Sequence, residues 1–405
     1  MIGVQRDEPA QTSVAGDGQR CPKPSDQRQR VIQWVIRLLV IGYFLAGVGA
    51  HWRPLDGFAS LVRFGDDFAE RRIPELQGRE VTTYPRAGYD GQFYAQLAAR
   101  PVVGDPEVQH ALDNPRYRSR RILLPVLAFL GGAGEAWAAV QVYALLNVAA
   151  WLVLAWYLHR RFAAGGLPGT LLWAAALCSL GTLESVHLAL TDLPATLLIV
   201  LAVAALEAGR GRIAVCALAA AGLVRETSVL AVSLFSPRKG APRAVWAARL
   251  AAGFCAVAPV VVWVALLVFL VPVGDQALTG NFDWPGAAIL RHLRTCGLAI
   301  AEGEPHLRHI FGPLAMLGLG YQSIYLLRRA TTDDSPWVRM TLPFAVLFWF
   351  LGDWVWAGYW AVARACLPMS VGFLLLVPTD RNLAWRIVLT SLCMPHALYR
   401  FWPEF

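Results

Sequence analysis

Long apolar runs, separated by short clusters of charge, repeat along almost the whole chain, and this pattern leaves few folds open. The runs are rich in Leu, Ala, Val and Trp: Val31 to Ala50, Ala136 to Leu158, Leu167 to Leu183, Leu188 to Leu206, Ala251 to Val273, Ile310 to Leu327, Met340 to Leu351, Tyr359 to Val377 and Ala384 to Leu398. Several reach the roughly 20 residues that a helix needs to cross a hydrocarbon core about 30 Å thick. A backbone in hydrocarbon must satisfy its own polar groups, so runs of this kind form helices. Only 16% of the residues are charged, against about a quarter in a soluble domain. Apolar residues make up 56%, and mean hydropathy is +0.46. The expected architecture is an all-α polytopic membrane protein with about 10–11 transmembrane or re-entrant helices.

The net charge of +8 does not indicate a nucleic-acid partner. The arginines sit in short clusters between apolar runs, which is the signature of membrane topology, and form no continuous basic face with interleaved aromatics. The seven cysteines are scattered, and no two have metal-ligand or redox spacing. His306 and His309 have the spacing of two ligands on one helix face, with Glu302 and Glu304 nearby, but nothing supplies a further ligand, so no metal site is assigned.

Residues 1–30 are polar and mixed in charge, and are expected to form a disordered cytoplasmic tail before a single transmembrane domain over 31–405. Residues 51–120 are a long polar stretch with balanced charge and six prolines. Loops of that length are usually functional or disordered, and the aromatics and the periodic piece from Phe58 to Arg72 favour folded structure. A second polar loop covers 274–305. Arg160-Arg161, Arg210/Arg212, Arg238-Lys239-Arg243, Arg328-Arg329 and Arg381/Arg386 all become cytoplasmic in one arrangement only, with the N-terminus inside and both long loops outside. Residues 213–235 must then start and finish on the cytoplasmic side. Each half, at 11–12 residues, rises only about 18 Å and cannot span. The stretch is expected to be a hairpin with Arg225-Glu226 at its tip, a fold that persists at membrane depth only against protein or a water-filled cavity.

On this topology Asp90, Glu184, His187, Asp192, Arg225, Glu226, Asp353 and Arg364 fall at one level, near the outer face. Ionisable groups at that depth are costly and usually functional. Each also has a structural reading. Asp192, before Leu193-Pro194, has the pattern of a helix N-cap; Asp90 has the same pattern before Gly91; Phe93 and Tyr94 would be interfacial anchors; Arg225-Glu226 would be an ion pair; Arg364 would satisfy carbonyls or bind lipid phosphate; Asp353 would be a solvated turn residue.

The segment Tyr89-Asp90-Gly91-Gln92-Phe93-Tyr94-Ala95-Gln96-Leu97-Ala98 resembles the first-loop motif of the GT-C superfamily of membrane glycosyltransferases, most closely the branch containing the glycosylphosphatidylinositol mannosyltransferases. Three later features are similar to that family in the same order. They are Arg120-Arg121-Ile122-Leu123-Leu124-Pro125, which lacks the family's first Pro; Thr182-Leu183-Glu184-Ser185, with an inserted Leu; and Arg225-Glu226-Thr227-Ser228, with Glu where Pro is common. The resemblance covers residues 85–235. It implies a GT-C-like bundle in the inner (plasma) membrane with an extracytoplasmic site. The donor would be a polyprenyl-phosphate-linked sugar, and the acceptor a glycolipid, polysaccharide or protein. Asp90 would be the catalytic base, Arg225 and Arg364 would bind the donor phosphate, and Glu184, Glu226, Asp192 and Tyr94 would orient substrate. Some members of the family use a divalent cation and others use none. Two other classes remain open, a transporter or flippase for a polar or lipid-linked solute and a non-catalytic membrane scaffold. The absence of an internal repeat and the long acidic-motif loop favour the transferase over the transporter.

The topology makes a direct prediction. In a background lacking the native cysteines, Arg225→Cys is expected to react with an impermeant maleimide from the extracytoplasmic side. Labelling from the cytoplasmic side alone refutes the hairpin orientation.

Overall fold

A computed structural model describes residues 24–237, 240–272, 280–303 and 306–403. Among these the chain is all-helical, with only isolated β-bridges. The expected disordered tail lies mostly outside the described residues, as do Arg238, Lys239 and Glu304. Helix α1 (Pro24–Ala50) starts before the apolar run and takes in the last residues assigned to that tail.

The 51–120 stretch folds into a compact cap. Short 3-10 turns at Ala59–Leu61 and Asp66–Phe68 are followed by α2 (Pro74–Gln77), α3 (Gly91–Ala99), α4 (Pro106–Ala111) and α5 (Pro115–Arg118). Proline at the first turn starts three of these helices, where its missing N–H costs nothing. The cap has its own apolar core, in which Leu61, Phe64, Ile73 and Leu97 are fully buried against Val140, Tyr143 and Ala144. Phe93 and Tyr94 belong to that core, which corrects their reading as interfacial anchors. Burial of apolar side chains such as these is what orders so long a polar segment.

Helix α6 (Leu123–Gly131) is short, as its apolar run is, and leads into α7 (Ala136–Phe162), whose first turn is capped by the Glu135 carboxylate. The chain then reverses. Gly166 takes φ +59°, and α8 (Gly166–Leu177) runs back along α7. The Trp151 indole donates to the Leu177 carbonyl at 3.1 Å and the Trp173 indole to the Ala155 carbonyl at 2.8 Å, a pairing that only an antiparallel hairpin permits. α9 (Leu180–His187) and the almost wholly buried α10 (Asp192–Glu207) follow.

The expected hairpin is present in a modified form. α11 (Gly211–Val224) is one arm, and a ten-residue 3-10 helix, Glu226–Phe235, is the other. Arg225 is the extended residue between them, at φ −154°, ψ 118°. α12 (Arg243–Leu270) packs on both arms and turns Phe254 and Phe269 outward. The described part of the second loop is itself helical, forming α13 (Ala287–Ala301). Next come α14 (Leu307–Arg329), α15 (Pro336–Phe350), the single turn α16 (Asp353–Trp356), α17 (Tyr359–Ala365), α18 (Leu367–Leu376), α19 (Leu383–Thr390) and α20 (Met394–Phe401).

Four helical stretches are long and apolar enough to cross a bilayer: Gln27–Ala50, Ala136–Leu177, Arg243–Leu270 and Leu307–Arg329. α17 and α18, bent by 61°, make a fifth if counted as one span. The second stretch contains the α7–α8 reversal, and the remaining apolar runs fold as shorter helices. This is the construction expected of a multi-pass membrane protein, with fewer full-length spans than the count of apolar runs suggests.

The cap is seated through one close approach. A Cβ built on Gly91 falls 2.4 Å from the Leu188 carbonyl oxygen and 2.9 Å from that of Val62. Gly91→Ala is expected to lose about 1–3 kcal/mol through backbone displacement, read as a lower unfolding midpoint in detergent. An unchanged midpoint contradicts this seating.

Candidate functional site

The loop ahead of α3 sets the position of Asp90. Residues 84–89 lie along residues 63–67, joined by bonds from Tyr84 N to Phe64 O, Asp66 N to Tyr84 O and Tyr89 N to Arg63 O. Gly88 takes φ +60° at this contact, and a Cβ there would meet Arg63 O and Gly65 N at 2.4 Å. The Gln92 side chain accepts from Gly65 N at 3.0 Å and donates to Ala87 O at 2.6 Å, and Gln96 accepts from Ile73 N at 3.0 Å. The glycines and glutamines of the motif therefore hold the loop, and its carboxylate is left free. Asp90 occupies the N-cap position of α3 but makes no capping bond with its side chain.

Asp90 instead pairs with Arg118 at 2.9 Å. Arg118 also bonds Asp113 at 2.6 Å and lies over the Phe93 ring at 4.7 Å. Three residues on, Arg121 donates to the hydroxyls of Tyr94 (2.6 Å) and Tyr117 (2.7 Å) and grips Glu226 with two bonds of 2.9 and 3.0 Å. A planar guanidinium matches a carboxylate in this two-point way.

The hairpin tip points its two charges in different directions. Glu226 pairs with Arg121, and Arg225 pairs with Asp192 at 2.5 Å and donates to Thr227 Oγ1 at 3.0 Å. Arg225 and Glu226 are thus each paired to another segment, which corrects their reading as a mutual ion pair. Asp192 is the first residue of α10 and Thr191 holds the N-cap position, so the capping role expected of Asp192 is also corrected. Its carboxylate, only 2% exposed, lies between Arg225 and Arg364, the latter at 3.4 Å. Arg364 donates to the Tyr89 hydroxyl at 2.7 Å, and the Trp360 indole donates to the same oxygen at 3.1 Å. Glu184 is buried and paired with Arg400 of α20, whose guanidinium covers the Trp360 ring at 4.6 Å. Arg63 donates to His187 Nε2.

The structure therefore gathers Asp90, Tyr94, Glu184, Asp192, Arg225, Glu226 and Arg364 into two bonded sets that the chain joins at Tyr89–Asp90 and Arg225–Glu226, together one network. They differ in burial. Tyr94 is fully enclosed, and Glu184 and Asp192 are 1% and 2% exposed, each against an arginine. Asp353 lies apart, paired with Arg291 of α13 at 2.8 Å. His306 and His309 cap the start of α14 for each other.

Sequence reasoning passed over Arg118 and Arg400, and quoted Tyr89 and Arg121 as motif positions without assigning either a role. One signal was available: Arg116, Arg118, Arg120 and Arg121 cluster in a loop assigned to the outside, against the topology rule that located the others. An arginine cluster that defies that rule has another use. Nothing local marks Arg400, whose partner Glu184 is distant in sequence.

Burial, the largest influence on the Asp90 carboxyl, favours its neutral form. The adjacent Arg118 guanidinium, helped by Arg364 and Arg121, outweighs it and holds the carboxyl below the ordinary carboxylate value. Yet the side chain is 39% exposed, against 26% for Asp113 and 22% for Glu226. Asp90 is thus packed among charged side chains yet keeps a solvent-accessible side. Burial pushes the Tyr94 hydroxyl up to about 12, and pushes the His51 imidazole, which bonds the Phe401 carbonyl at 3.0 Å, down to about 4. The positive charge of the network at neutral pH therefore resides on arginine alone. Among the described residues no three His, Cys, Asp or Glu side chains come together to hold a metal ion, and each of the five network carboxylates faces a guanidinium. The donor set does not fit a divalent cation.

Removing one partner of a buried pair strands the other. Arg121→Leu is expected to cost about 3–5 kcal/mol in an unfolding titration, and Arg121→Leu with Glu226→Leu to recover most of it. A double variant no better than the single would show that the pair does not carry the link. In comparisons with known proteins, no family model, no curated protein and no solved structure matches this chain.

Proposed function

We propose that the chain is a GT-C-type membrane glycosyltransferase that moves a sugar from a polyprenyl-phosphate donor to an acceptor hydroxyl at the extracytoplasmic face. The observation that carries this reading is the setting of Asp90. It is the most solvent-open carboxylate of the network, and it sits at the edge of a group of buried arginines from separate parts of the chain. Transfer to a hydroxyl needs a proton acceptor at the attacking oxygen and positive charge at the departing phosphate.

In this reading the acceptor oxygen forms a bond to the anomeric carbon while the bond from that carbon to the phosphate oxygen breaks. The hydroxyl proton passes to Asp90. The polyprenyl phosphate leaves with its electron pair, and the charge is met by Arg225, 16% exposed at the hairpin tip, with Arg364 behind it. Asp192 fixes these two guanidiniums at their inner edges, and Glu226 fixes Arg121 in the same way. A carboxylate as acidic as Asp90 takes the proton late, once bond formation has made the hydroxyl acidic.

One observation favours a second reading, that of a transporter. The α17–α18 pair is bent by 61° beside the network, and discontinuous helices are a transporter device. Flux across proteoliposomes, without any glycoside product, would distinguish it.

In membranes supplied with labelled polyprenyl-phosphate sugar, Asp90→Asn is expected to lower transfer roughly 10²–10⁴-fold. The sign of the pH dependence follows from the lowered carboxyl value. The basic form persists as pH falls through the ordinary value of about 3.9, so activity has no acid limb attributable to Asp90 above that pH. Undiminished transfer by Asp90→Asn rules out its role as base.

A further inference from the structure

A groove lined by no ion-paired side chain lies between α14 and α18, both in stretches apolar enough to cross a bilayer. Three interruptions of helical backbone meet there. α8 gives way to α9 at Cys178–Ser179, α17 bends into α18 at Cys366, and α19 gives way to α20 at residues 391–393. Ser179, Leu367 and Ser391 bring these breaks to the groove wall. Interrupted backbone at membrane depth is tolerated where it is buried in protein or lines a cavity. That three breaks converge on one groove makes it a built feature.

The chemistry of the wall is specific. None of its lining residues is charged, and most are aliphatic. Two of its four hydroxyls are engaged: Ser179 Oγ bonds Thr182 Oγ1 at 2.8 Å and Thr390 Oγ1 donates to Arg386 O at 2.8 Å. Gln322 alone among the lining residues has a buried side-chain polar atom left unpaired. It lies on α14, lines the groove, is 4% exposed, and its amide oxygen has no hydrogen-bond partner. A buried acceptor left unmet is costly, and an apolar residue of the same shape would avoid the cost. The oxygen calls for a donor from within the groove.

We propose that this groove is a binding site for a neutral long-chain lipid carrying one hydrogen-bond donor, of the class of a fatty alcohol. The chain lies against Leu314, Leu319, Leu367 and Leu374, and the hydroxyl reaches Gln322 Oε1. The absence of charged lining excludes a phosphate headgroup inside the groove, since nothing there would compensate its desolvation. The half-exposed residues Thr390, Ser391, Leu392 and Met394, at the α19–α20 break, form its mouth. The site is separate from the proposed transfer chemistry and holds whether or not that reading does.

The test uses the full chain in phosphatidylcholine nanodiscs with a diazirine-bearing hexadecanol. Crosslinking is expected on residues 314–322 and 390–394. It should be competed by hexadecanol and roughly 3- to 10-fold less well by hexadecane, the ratio equivalent to one neutral hydrogen bond. Gln322→Leu is expected to remove that preference while leaving the unfolding midpoint at or above the parent's. Ala315→Leu should block the groove and abolish crosslinking. The comparison of hexadecanol with hexadecane needs no variant. Equal competition by alkane and alcohol overturns the proposal, as does absent crosslinking. Competition by a polyprenyl phosphate in place of the alcohol overturns it also, by assigning the groove to a charged lipid's tail.

Discussion

A buried guanidinium is costly unless its charge is met, and the charged centre of this chain is organised by that requirement. Arg121 holds Glu226, Tyr94 and Tyr117 at once, and so ties the cap to the tip of the hairpin. From there the alternation of charge continues through Arg225, Asp192 and Arg364 to Tyr89, which precedes Asp90 in sequence. Each link joins elements distant in the chain. Desolvation is severe for every member, so the set is maintained only if cap, hairpin, α10 and α17 all hold position together. Asp90 stands at the end of this series and keeps an open side.

Glycine and backbone contact supply the other half of the design. Gly88 and Gly91 bring the motif loop against carbonyls of residues 62–65 and 188, where any side chain would intrude. Gly181 does the same for α9 against Ala363 O, at 2.6 Å from a built Cβ. The neighbouring residues Arg364 and Glu184 are thereby drawn toward one another. Close approach fixes where the charges sit, and the charges in turn hold the approach. Arg400 closes the arrangement from α20, which is also fastened by the bond of His51 to the Phe401 carbonyl.

Much of this was legible before the structure. Hydropathy alone gave the helices, and loop charge required 213–235 to turn back on itself. The hairpin is present with the predicted residues at its tip. The motif loop was singled out by pattern, and the carboxylate in it is 39% exposed. The second arm of the hairpin, however, is a 3-10 helix, Leu167 to Leu183 is broken at Cys178–Ser179, and the capping roles of Asp90 and Asp192 gave way to long-range ion pairs. In each case tertiary electrostatics or packing overrode a local preference worth about 1 kcal/mol.

The sequence by itself determined that this chain is helical, that it is too apolar for water, and which few residues carry charge where charge is expensive. Those properties are local, since they depend on runs and spacings within a turn or two. Which charge meets which was decided only by the tertiary structure. Asp90 and Arg118 are 28 residues apart, Arg121 and Glu226 105 apart, and Arg364 and Asp192 172 apart. No periodicity encodes a partner at such distances. Partners are chosen by the packing of α3, α10, the hairpin and α17, and a buried charge then takes the nearest opposite charge that packing presents.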